Sequence, residues 1–105
     1  VSAFNGSRIG NDRELLLDYK SFNTIDSQEL TAETGNQLHI ELAIDSGELS
    51  VLIQKGEEEP LYQVNGLTES CDFSIDIEES GTYTVTVTGA KARGSAHFEV
   101  VSSEA

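Results

Sequence analysis

Residues Glu78–Val100 read EESGTYTVTVTGAKARGSAHFEV, and this stretch decides the fold class. Ser80-Gly81 is a turn, and Thr82 to Thr88 alternates strictly, with Tyr83, Val85 and Val87 on one face and Thr82, Thr84, Thr86 and Thr88 on the other. After a short polar connection over Gly89–Arg93, the alternation resumes from Gly94 through Ala96, Phe98 and Val100. Period two over seven residues of Thr, Val and Tyr specifies a half-buried strand. Two such runs around a five-residue break read as an antiparallel hairpin.

Working back toward the N-terminus, the same period recurs. Gln37–Ile44 places Leu38, Ile40, Leu42 and Ile44 on one face, and Asp45-Ser46-Gly47 reads as a tight turn delivering Leu49, Val51 and Ile53 to the same core, a second hairpin. Glu69–Ile77 carries Cys71, Phe73, Ile75 and Ile77 inward. Leu61–Val64 is a short strand after the charged loop Lys55–Glu59 and Pro60, with Asn65-Gly66 a turn. Asp26–Ala32, whose only large apolar residue is Leu30, reads as an edge strand, and Thr34-Gly35-Asn36 as a turn. Leu15–Phe22 is read as a strand, with a short amphipathic helix as the alternative because Leu16 interrupts the alternation. Residues 1–13 read as a flexible arm, 14–101 as one domain and 102–105 as a polar tail.

Eight short strands at these spacings predict an all-β antiparallel β-sandwich of seven or eight strands, jelly-roll-like or immunoglobulin-like. Its predicted core comprises Leu38, Ile40, Leu42, Leu49, Val51, Ile53, Phe73, Ile75, Tyr83, Val85, Val87 and Phe98.

A chain of 105 residues is one domain, able to fold alone. With 19 acidic and 6 basic residues its net charge is −13, which argues against nucleic acid and against anionic membrane surfaces as partners. No window has the 18 or so apolar residues of a spanning helix. Cys71 is the single cysteine, so no internal disulfide forms; its inward phase makes it a small core hydrophobe with an inert thiol. The chain begins at Val1 without an n-region or h-region, as expected of a mature chain whose targeting segment, a lipid anchor included, has been removed.

Thr34-Gly35, Ser46-Gly47-Glu48-Leu49-Ser50-Val51, Ser80-Gly81-Thr82-Tyr83-Thr84-Val85 and Gly94-Ser95 together resemble two related groups. One is the bacterial pre-peptidase C-terminal domains; the other is the small secreted or lipid-anchored bacterial β-sandwich proteins with a similar G-T-Y ending. The resemblance covers about Leu15 to Val100. It implies an extracytoplasmic sandwich without catalytic residues, and some members bind calcium or polymeric substrates. No ligand position carries over.

The catalytic inventory is thin. His39 and His97 both fall on outward faces; a metal or acid–base pair would require their strands to be neighbours, with a carboxylate or thiolate added. Cys71, of inward parity, cannot join them. No G-x-S-x-G, H-E-x-x-H, Walker A or dinucleotide glycine motif is present. Carboxylates gather at Asp12 with Glu14, at Glu57-Glu58-Glu59, and at Asp76 with Glu78 and Glu79, none with the spacing of a calcium loop. The threonine row reads as an ordinary strand face, while Tyr19 and Tyr62, if partly exposed, would be the aromatics available for stacking on a sugar.

These readings predict a non-catalytic, extracytoplasmic module of binding or cell-envelope architecture. It is expected to be a monomer, with a protein or glycan of the cell surface as its partner. The alternative is a calcium- or glycan-binding accessory domain of a secreted enzyme system.

Overall fold

Two strands of twenty or more residues carry the architecture, one at Asn36–Lys55 and one at Gly81–Ser102. In the computed structural model, which describes residues 3–102 and the side chains of residues 6–101, seven strands form. They are β1 (Ala3–Gly10), β2 (Glu14–Asn23), β3 (Ile25–Ala32), β4 (Asn36–Lys55), β5 (Tyr62–Leu67), β6 (Cys71–Asp76) and β7 (Gly81–Ser102). Every pairing is antiparallel. The all-β antiparallel sandwich expected from the alternation is therefore the fold, and β2 is a strand rather than a helix.

The strand pairing differs from expectation. Neither predicted hairpin exists. β4 and β7 pair with each other along nearly their whole lengths, from Asn36↔Ser102 to Lys55↔Tyr83. The first half of β4 also pairs with β6, and its second half with β5. The second half of β7 pairs with β2 and its first half with β3. One layer is thus β1-β2-β7-β4-β6 and the other β3-β7-β4-β5, with the two long strands shared across a crease.

The crease lies where the sequence looked like turns. The β4–β7 register slips between Ile44 and Ser46 and again between Ser46 and Glu48. Across it the buried set of β4 changes from Leu38, Ile40 and Leu42 to Leu49, Val51 and Ile53, and that of β7 from Tyr83, Val85 and Val87 to Ala92, Ala96, Phe98 and Val100. A bulge is what lets a strand change parity without ending. Its backbone needs are those of a turn: Gly47 has φ +80°, Lys91 +52° and Gly94 +136°. A side chain on Gly47 would run into the Lys91 carbonyl, and one on Gly94 into that of Ala43, so the strands cross here only because both positions lack Cβ.

The arm expected over residues 1–13 is also corrected: Ala3–Gly10 is an edge strand held by β2. Its register slips between Asn5 and Gly6, where a Cβ on Gly6 would meet the Asp18 carbonyl. Arg8 fastens it to β3, with Nε donating to Asp26 at 2.7 Å and Nη2 to Gln28 Oε1 at 3.0 Å and to the Ser27 carbonyl at 3.1 Å. Ser102, expected in the tail, ends β7, and residues 103–105 lie outside the described residues. Asn65-Gly66, read as a turn, lies within β5, Gly66 taking φ +64° beside a register slip. At the opposite end from the crease the β3–β4 and β6–β7 connections are tied together: Gly35 N–H donates to the Ile77 carbonyl and Ile77 N–H to that of Asn36.

The predicted core forms one cluster, fully buried except for Phe73 and Ile75, which are half-buried on the edge strand β6. Leu15, Leu17, Tyr19, Phe22 and Leu30 join it. Tyr19 is 3% exposed, against the expectation that it could stack on a sugar, whereas Tyr62 is half-buried against Phe73, ring centroids 5.0 Å apart. The Tyr19 hydroxyl has no hydrogen-bond partner among the described residues. Burial, with the Asp45 charge adding to it, pushes its pKa up from 10 to about 12. A phenol whose folded pKa is raised holds its proton longer in the folded chain. Its contribution to stability is therefore complete below pH 10 and is lost as pH rises from 10 to about 12. Tyr19→Phe, which keeps the ring and removes the orphaned hydroxyl, should stabilise the fold by about 1–3 kcal/mol. It should also flatten the alkaline fall; urea titrations at pH 7 and pH 11 measure both.

Candidate functional site

The outer face of the larger layer is where titratable chemistry converges. Because Leu38, Ile40 and Leu42 point into the core, His39 and Glu41 of β4 must point out. The same alternation turns His97 and Glu99 of β7 outward around Phe98, Asp72 of β6 outward between Cys71 and Phe73, and Glu14 of β2 outward beside Leu15. The register then aligns them. Glu41 lies opposite His97 on one side and Asp72 on the other, while Glu99 lies opposite both His39 and Glu14.

The side chains interlock. His39 Nε2 is 2.7 Å from Asp72 Oδ1, and His97 Nε2 is 2.6 Å from Glu14 Oε2. A carboxylate accepts but does not donate, so each ring gives its Nε2–H to its partner, and in the neutral imidazole Nδ1 then carries the lone pair. Both Nδ1 atoms face the same oxygen, Glu41 Oε1, at 3.8 Å from His39 and 3.9 Å from His97. These distances are too long for hydrogen bonds. The hydrogen bond to Asp72 raises the His39 pKa; partial desolvation opposes this, and the charges of Asp72, Glu41 and Glu99 reinforce it.

The structure thus makes neighbours of the strands bearing His39 and His97 and supplies the carboxylates. Glu41, Asp72 and Glu99 carried no sequence signal of their own: each is one outward residue among many, and only the register selects it. The outward parity that picked out the histidines also marks Glu41, two residues from His39. Cys71 stays outside the cluster, as expected, but is half-buried rather than enclosed, since among the described residues β6 has a strand on one side only. Burial still pushes its thiol pKa up, and the Asp72 charge adds to this. A disulfide-forming reagent should accordingly label Cys71 slowly in the folded protein and rapidly in urea; equal rates would show the thiol to be open.

The other two acidic groups come together elsewhere. Glu58, Glu59, Glu78 and Glu79 line one groove at the end of the sandwich with Lys55, Pro60 and Tyr83. The Lys55 ammonium lies 3.6 Å from Glu58 and 3.7 Å from Glu79, supplying a cation from within the chain. Asp76 is engaged by Gln37 Nε2 at 2.9 Å. Calcium should therefore shift the melting midpoint little at constant ionic strength. A micromolar site at millimolar calcium would add about 4 kcal/mol, or about 15–30 °C for a domain of this size, so a melting scan separates the two outcomes.

The outer face of the other layer differs in kind. Thr86 and Thr88 join Ser50, Val51, Leu52, Gln63 and Asn65 around a groove of about 190 Å³, an uncharged surface of hydroxyls, amides and two aliphatic residues. No protein-family model matches the chain, and no curated protein sequence matches it either.

Proposed function

We propose that this chain is a non-catalytic binding module of the bacterial cell exterior, secreted or surface-anchored, that engages a surface protein or glycan through the outer faces of its sandwich. The observation that supports it is the placing of the convergent polar side chains: they stand on open sheet faces, with Glu41 and Asp72 exposed. A flat face meets a ligand at its surface but does not enclose a reacting group away from water, which catalysis by preorganised charge requires. The exterior location rests on the resemblance of the turn-and-strand motifs described above. The test has two arms. An antibody against the domain should label intact cells of its source, and labelling confined to lysed cells would overturn the location. Purified chain should turn over ester, glycoside, peptide and phosphate substrates no faster than the His39→Gln/His97→Gln variant, and turnover lost in that variant would overturn the non-catalytic reading.

The glycan alternative is favoured by one specific feature, the uncharged hydroxyl–amide face around Thr86 and Asn65. Affinity electrophoresis through cell-wall polysaccharide should then retard the native chain but not Thr86→Lys, and equal mobility with and without polysaccharide would remove that alternative.

A further inference from the structure

We infer that the outer face of the larger layer holds one divalent transition-metal ion, of the zinc class, bound by His39 Nδ1, His97 Nδ1 and the Glu41 carboxylate. Asp72 and Glu14 act as the residues that orient the two rings. The site stands whether or not the module lies outside the cell or engages a glycan.

Three features carry it. The chain has two histidines, and both are in this cluster although they come from different strands. Each ring is held in the same way, Nε2–H donated to a carboxylate of the flanking strand and Nδ1 turned inward to Glu41. A ligating imidazole characteristically gives its other N–H to a carboxylate, which fixes the tautomer and strengthens the donor.

The spacing suits such an ion. Donors bound to one zinc at about 2.0–2.2 Å stand at most about 4.2 Å apart, and the Nδ1–Oε1 separations are 3.8 and 3.9 Å. The donor atoms within 4.8 Å of one another are those of His39, Glu41 and Asp72, and His97 is not among them. Closing both Nδ1 atoms onto one ion takes a side-chain rotation of Glu41 (52% exposed) and of His39 (31%), with Asp72 (65%) following His39 while His97 stays on Glu14. Two imidazoles and a carboxylate suit borderline ions such as Zn²⁺ and Cu²⁺, whereas Ca²⁺ and Mg²⁺ require oxygen donors throughout. Four carboxylates, Glu14, Glu41, Asp72 and Glu99, offset the ion's charge, and the three donors leave coordination positions open toward solvent for water or a fourth donor.

Calorimetric titration of the full chain with Zn²⁺ at 0.15 M ionic strength (about an 8 Å screening length) tests it. One ion should bind per chain, undisturbed by millimolar Ca²⁺ or Mg²⁺. His39→Gln, His97→Gln and Glu41→Gln should each abolish that binding. Asp72→Asn and Glu14→Gln should weaken it about 10–100-fold. All five positions face outward, and unchanged circular dichroism verifies that each variant folds. A second readout uses no variant: long-range ¹H–¹⁵N spectra of metal-free protein should show both neutral rings protonated at Nε2, and Zn²⁺ should shift both Nδ1 resonances. Weak binding of several ions, binding that survives His97→Gln, or an Nδ1–H tautomer at either ring would overturn the site.

Discussion

Phe98→Ala should lower stability by about 3–5 kcal/mol, a fall of about 15–30 °C in melting midpoint. Phe98 is wholly buried at the centre of the larger layer, between Leu15 of β2 and Ile40 of β4. Removing its ring forfeits transfer free energy and leaves a cavity that two flanking strands hold open. Chemical denaturation of native and variant chains measures the loss. An unchanged m-value would assign it to the folded state, and a loss below about 1 kcal/mol would contradict the inward phase of this half of β7.

Gly94→Ala should cost a similar amount for a different reason. Gly94 has φ +136°, and a Cβ there would collide with the Ala43 carbonyl on the facing strand. The backbone conformation alone costs a non-glycine residue about 1–3 kcal/mol, and moving β4 aside adds a further penalty of about 1–3 kcal/mol. Gly56 provides the control: its φ is +59°, but a methyl group there would have nothing within 4 Å. Gly56→Ala should therefore cost only about 1–2 kcal/mol, the conformational share. If the two substitutions proved equally mild, the close crossing of β4 and β7 at the crease would be wrong. Stopped-flow unfolding would show where the Gly94 cost falls, since strain present only in the native state speeds unfolding.

The zinc site and the crease depend on one another through the register. The six residues of the cluster lie on β2, β7, β4 and β6, and all of them belong to the layer on one side of the crease. A hairpin at Asp45-Ser46-Gly47 would have set Gln37–Ile44 against Leu49–Ile53, leaving His39 without His97. Because β4 instead runs on through its bulges and pairs with β7, Glu41 comes to lie opposite His97. The glycines that permit the close crossing thus also bring the two histidines to one face.

What was legible in the sequence follows from the period of two. Alternation sets which residues of a strand face in, so the core from Leu38 to Phe98, the outward placing of His39 and His97, and the all-β class could be read directly. Leu15–Phe22, whose alternation Leu16 interrupts, was legible as a strand only from Asn23 closing it and from the strands around it, and Asp26–Ala32, with Leu30 its only large apolar residue, does lie at an edge of its layer. Pairing was not legible, because a glycine-rich break with a parity change has the same local chemistry whether the chain reverses there or passes through a bulge. Both need positive φ and a missing side chain, as Gly47 and Gly94 show. The choice between them is made by partners far away in the chain: β4 continues because β7 lies beside it over both halves. Parity alone therefore gave the two histidines their direction, and long-range register alone gave them Glu41 between them and Asp72 and Glu14 behind.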